Sequence, residues 1–226
     1  MIFTNTISII LALAPAAIFA APTRTFKAAS VCNLDGLTIP IAPTALPAIG
    51  EGLHVAHIAV GWGTQNYTCA NSTTKPVQVG ALAHLYNVTC QTATTDSEII
   101  HTNLDYFYKY IESNEGVRER TLSGLHDFTA DGVPRFNLST PEHNYGIVLA
   151  KKDAGSDAPK PTPTGSATTT GSSLPDIPWL KLKATGGDYK EVYRVETRGG
   201  SAPASCSETK IGTFEIPYFA VYYFVQ

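Results

Sequence analysis

FEIPYFAVYYFV, residues Phe214–Val225, carries apolar or aromatic side chains on both of its faces. Phe214, Ile216, Tyr218, Ala220, Tyr222 and Phe224 alternate along one side, and Phe219, Val221, Tyr223 and Val225 along the other. A strand that is apolar on both faces belongs in the middle of a sheet, covered above and below. Two further strand-like runs precede it, Ile177–Ala184 and Tyr189–Arg198, punctuated by Gly186-Gly187 and Gly199-Gly200. Three strands cannot cover themselves, so the N-terminal half must supply the rest of the core.

Upstream, Tyr145–Lys152, Arg135–Leu138 and Ser123–Phe128 read as strands, with a turn at Ala130-Asp131-Gly132. Val77–Thr89 alternates through Val77, Val79, Ala81 and Ala83 and reads as another. Leu53–Val60 and Thr64–Cys69 read as two runs broken by a bulge or tight turn at Gly61-Trp62-Gly63. Glu98–Ile111 fits both periods and is the best candidate for a helix. A strand-rich list with frequent turns predicts an all-β chain: a single antiparallel β-sandwich or barrel-like domain.

Residues 21–52, rich in Ala, Pro and Thr, read as an extended N-terminal arm tied down at Cys32, and residues 53–226 as the β domain. Within it, residues 153–176 are dominated by Pro, Ser, Thr and Gly and bury too little to order themselves. The segment after them is too short to be a comfortable separate domain. The insertion is therefore expected to be a disordered loop, with O-glycans on its Ser and Thr residues, inside one domain.

The apolar run Ile7–Phe19, ending in small residues, reads as a signal peptide over residues 1–20, cleaved after Ala20. It is shorter than the ~20 residues a membrane span needs, and Pro15 interrupts it. The expectation is a secreted protein, extracellular or cell-wall associated, with no membrane attachment after cleavage. A formal net charge of −3 gives no reason to bind nucleic acid. Cys32, Cys69, Cys90 and Cys206 suggest two disulfides, with three possible connectivities, and their spacing fits no zinc module. Asn66, Asn71, Asn87 and Asn137 each open a glycosylation sequon.

The motifs GWGTQNYTC, GALAHLYNVTC, GLHDF with GVPRFNL, IPWLKLKA, VYRVETRGGSAPASC and PYFAVYYFV occur in that order. Together they resemble a secreted fungal and bacterial family, domain of unknown function 3455, from about Cys32 to the end of the chain. Members are often labelled malate dehydrogenase-like. This sequence lacks the GxGxxG turn between strand and helix that a nicotinamide cofactor needs, so malate dehydrogenase activity is not supported and no cofactor is expected. Relatives keep cysteines at positions matching Cys69 and Cys206. The resemblance thus implies Cys69–Cys206 with Cys32–Cys90, and a local Cys69–Cys90 staple is the alternative.

His54 and His57 stand three apart, an offset that separates them on a strand, so no metal site is expected. His126, Asp127 and Asp131 form the best polar cluster, where a histidine near carboxylates could act as a general base. Arg194, Glu196 and Arg198 alternate along one strand and, with Trp179, could grip an acidic or sugar ligand. No GxSxG, HExxH or phosphate-cradling loop is present. The sequence points to a non-catalytic extracellular binding or structural module, with carbohydrate one candidate for its unknown ligand. The alternative is a small extracellular hydrolase centred on His126, Asp127 and Asp131.

Overall fold

The final strand, β8 (Gly212–Val225), pairs on one side with β1 (Val55–Cys69) and on the other with β7 (Glu191–Gly199). The structure is a computed structural model and describes residues 32–93, 104–160 and 175–226. The other strands are β2 (Val77–Asn87), β3 (Leu122–Phe128), β4 (Pro134–Ser139), β5 (Asn144–Ser156) and β6 (Trp179–Gly187). Each pairs antiparallel with its neighbour in sequence, and β1 with β8 closes the ring into an eight-stranded barrel. Of the two architectures expected, the barrel is the one adopted. Closure leaves no open sheet edge to protect.

The two faces of β8 now have their cover. Tyr218, Ala220, Tyr222 and Phe224 line the barrel interior with Ala83, Leu85, Phe136, Leu138, Val148 and Val192. Phe219, Val221, Tyr223 and Val225 face outward, where Leu37, Ile39, Ala42, Leu46 and Ile49 of the arm pack over them with Ile111. Ile111 lies on the helix Leu104–Ser113, which falls largely within the predicted Glu98–Ile111; residues 98–103 lie outside the described set. Tyr108 of that helix stands edge-on to Trp62 (5.6 Å) and to Phe219 (5.5 Å).

The arm is held by specific bonds as well as by apolar contact. Lys181 Nζ donates to the Ala48 carbonyl at 2.7 Å and pairs with Glu191 at 2.8 Å. The Tyr193 hydroxyl donates to the Pro47 carbonyl at 2.9 Å, and the Thr44 amide to Ser156 Oγ at 3.0 Å. Two disulfides add to these, Cys32–Cys90 and Cys69–Cys206, the connectivity the resemblance implies. Cys32–Cys90 ties the start of the arm to the short helix Thr89–Ala93 after β2. Cys69–Cys206 joins the end of β1 to the turn before β8 across a sequence separation of 137.

Two details depart from the sequence reading. Gly61-Trp62-Gly63 does not break the first strand, because β1 runs unbroken through it. The glycines face inward and make room: a Cβ on Gly61 would stand 2.5 Å from the Tyr222 ring, and one on Gly63 1.9 Å from the Leu82 carbonyl oxygen. Trp62 points the other way, to Tyr108. Likewise β5 continues through Asp153–Ser156, so the first four residues of the expected disordered insertion are strand. Residues 161–174 of that insertion, and the signal peptide expected over 1–20, lie outside the described residues.

Candidate functional site: a cavity inside the barrel

Eight-stranded barrels are just wide enough for side chains to fill, or to leave space for one small ligand. Here the interior leaves a cavity of about 180 Å³. Phe128, Pro134, Phe136, Leu180 and Leu182 give it an apolar wall, and His126, Arg194, Tyr222, Gln78 and Lys152 bring polar groups to it. Lys152 is exposed, whereas His126 and Arg194 retain only 4% and 8% of their surface.

Arg194 is the unusual member. Its Nη2 donates to the Pro178 carbonyl at 2.9 Å, and its Nε finds no acceptor although it is buried. Among the described residues no carboxylate pairs with it. A guanidinium stays charged at any physiological pH, and holding an unpaired charge out of water costs several kcal/mol, on the order of the penalty for a buried ion. Its field reaches the neighbouring groups. It partly offsets the upward push that burial exerts on the Tyr222 hydroxyl, and it further lowers the pKa of His126.

His126 is held flat against Phe136, ring centroids 4.1 Å apart, with Nδ1 2.9 Å from the Arg135 carbonyl. A carbonyl only accepts, so Nδ1 carries the proton and Nε2 is left as an acceptor. Burial lowers the pKa of this ring to about 4, and Arg194 adds to the effect, against the raising influence of the Arg135 carbonyl and Asp127. His126 is a neutral imidazole at pH 7.

Deeper in the interior a chain of polar groups continues from Tyr222. Its hydroxyl lies 2.8 Å from that of Tyr218, and Tyr218 lies beside Gln65. Gln78 Nε2 donates to Gln65 Oε1, and the buried Gln65 Nε2 has no acceptor within hydrogen-bond reach among the described residues. Two orphaned N–H donors thus face the inside of one barrel.

The residues singled out from sequence are redistributed by the fold. Asp127 faces outward, next to His126 in sequence but on the other face of β3. Its carboxylate takes a two-pronged bond from Arg135, Nε to Oδ1 at 2.8 Å and Nη2 to Oδ2 at 2.5 Å. That bond holds its pKa below the usual carboxylate value. Asp131 is exposed in the turn between β3 and β4. The three do not converge.

Arg194, Glu196 and Arg198 do not share a face either, because a bulge intervenes. Val195 pairs with Val221 and Arg198 with Phe219, so Glu196 and Thr197 together oppose one residue. Glu196 has φ of 51°, a left-handed backbone that is usually left to glycine. It lies on the outer side, where its charge adds to the rise in the Tyr223 pKa, while Arg198 Nη1 donates to the Thr197 carbonyl. Trp179 is buried in the outer layer beneath the arm, away from the cavity. What the fold does bring together is one residue from each expected cluster, His126 and Arg194.

His57 occupies a separate interior position. Its ring stacks on Tyr145 at 4.6 Å, with Nε2 3.2 Å from Ser123 Oγ and Nδ1 3.3 Å from Thr89 Oγ1. Burial lowers its pKa to about 4. His54 is exposed and does not join it. Among the described residues no group of histidine, cysteine or carboxylate side chains could hold a metal ion, and no helix is long and apolar enough to cross a membrane. A larger hollow of about 380 Å³ lies outside the barrel, between arm residues Leu37–Ile49 and Tyr193. It gathers no charged side chain.

Of the sequons, Asn71 and Asn137 are exposed, whereas Asn66 and Asn87 are half-buried. Asn66 Oδ1 accepts from Thr64 Oγ1, and Asn87 Nδ2 donates to the Tyr145 hydroxyl.

Fold and cavity define a disulfide-stapled antiparallel β-barrel with a small, charged interior. The chain belongs to the family described as Protein of unknown function (DUF3455), whose model matches residues 49–226. No match is found among curated proteins or among solved structures.

Proposed function

We propose that the chain is a secreted, glycosylated binding module that takes a small molecule into the barrel and releases it unchanged. The observation that carries this reading is the interior cavity with the buried, unpaired Nε of Arg194 on its wall. A polar group buried without a partner is destabilising, and such a group beside an apolar space is what a ligand of matching chemistry would satisfy. The two disulfides and the N-terminal leader support an extracellular setting. A hydrolase centred on His126, Asp127 and Asp131 has less support. His126 has no carboxylate behind it to orient it as a base, and no serine, threonine or cysteine lines the cavity among the described residues. A sugar chain suits the cavity poorly too, since drug-sized sites run from about 300 Å³ upward. Native mass spectrometry of the secreted protein, together with a thermal-shift screen of small metabolites, tests the reading. A co-purified molecule or a stabilising compound whose effect disappears in Leu182→Trp, which fills the cavity, is the expected result. No ligand by either route, or a compound consumed in a His126-dependent reaction, would overturn it.

A further inference from the structure

We infer that the ligand is a small organic carboxylate, its charge held by Arg194 inside the barrel and its compact apolar body lying against Phe136 and Leu182. This rests on the binding reading above and narrows it to a chemical class.

Arg194 is more than nine-tenths buried, and its recorded partners, the Pro178 carbonyl and the neighbouring Tyr222 hydroxyl, are neutral. Neither cancels a positive charge. The remaining charged groups near the cavity do not cancel it either: Lys152 at the rim is also a cation, His126 is neutral, and Asp127 is turned outward and committed to Arg135. The guanidinium presents Nε–H and a further Nη N–H as a fork suited to the two oxygens of a carboxylate. A single buried cation calls for a single negative charge, and the planar guanidinium fork matches the two oxygens of a carboxylate, which favours a carboxylate over the dianionic form of phosphate.

The rest of the cavity sets the body. Its wall is formed by Phe128, Pro134, Phe136, Leu180 and Leu182, so the group attached to the carboxylate is apolar. A space of about 180 Å³ admits one ring or a short aliphatic chain and excludes a long-chain acid wholly enclosed.

The test titrates the full secreted chain with benzoate and hexanoate, with the neutral benzamide and benzyl alcohol, and with inorganic phosphate, by calorimetry near neutral pH. The inference expects a carboxylate to bind at least ten-fold tighter than its neutral counterpart and than phosphate. It also expects Arg194→Met to abolish that preference and Arg194→Lys to keep part of it. Should Arg194→Met fail to fold, ¹⁵N spectra of the unaltered protein decide: the Arg194 Nε–H resonance moves with benzoate and stays with benzamide. Neutral compounds or phosphate binding as tightly as the acids, or a resonance indifferent to benzoate, would overturn the carboxylate assignment while leaving a binding module standing. Absence of binding by every probe and of any co-purified molecule would remove both.

Discussion

Lowering the pH should destabilise this barrel well before its carboxylates are neutralised, and the histidines inside it set the size of the effect. His57 and His126 each have a pKa lowered from 6.5 to about 4 by burial. Between those values the unfolded chain binds protons that the folded chain refuses, so stability rises with pH through the window. The contribution is intact above about pH 6.5, falls as the pH drops, and is fully lost near pH 4. The drop from 6.5 to about 4 corresponds to ~3.4 kcal/mol per histidine, hence ~7 kcal/mol for both as an upper bound. Asp127 does not confound the measurement, because its lowered pKa places its own loss below the window. Urea unfolding of wild type and of His126→Phe, at neutral pH and near pH 4, reads the effect. The phenyl ring keeps the stack on Phe136 and cannot take a proton. His126→Phe should be less stable at neutral pH, where the bond to Arg135 is lost, yet lose only about half as much on acidification. Equal losses in the two proteins would refute the assignment of His126 as a buried neutral group.

Three further outcomes follow from the geometry. Gly63→Ala should destabilise by ~3 kcal/mol or more, read as a drop in urea midpoint, since its methyl would have to displace the β2 backbone at Leu82. The double variant Cys69→Ser with Cys206→Ser should lose ~3 to 5 kcal/mol, measured by denaturant unfolding, because that bridge closes the longer loop. In a glycosylating host, peptide mapping should find Asn71 and Asn137 more fully occupied than Asn87, whose amide is committed to Tyr145.

Much of the architecture could be read from β8, because a strand apolar on both faces has few places to go. The demand for a second layer of cover led correctly to the N-terminal half, and the arm supplies it. Gly61-Trp62-Gly63 was misleading for a physical reason. Glycine interrupts strands in sequence patterns, yet here its missing side chain is what lets Tyr222 and the β2 backbone approach. The separation of His126 from Asp127 was implicit in the two-residue period. The separation of Arg194 from Glu196 and Arg198 was not, because it depends on one bulge at a residue with positive φ. Gln65 and Gln78 went unmarked. Gln65 stands in step with Ala59, Gly61 and Gly63, on the face of β1 that turns inward, and a polar residue in that series was the available clue. The cysteine pairing needed the family, since spacing alone leaves three choices open.

Arg194 is a buried cation that no carboxylate among the described residues neutralises. A crystal structure of the protein grown with benzoate tests this most directly. The account predicts a carboxylate within hydrogen-bond reach of Arg194 Nε, its ring between Phe136 and Leu182. A side-chain carboxylate of the chain paired with that guanidinium, and the cavity filled by protein, would contradict it.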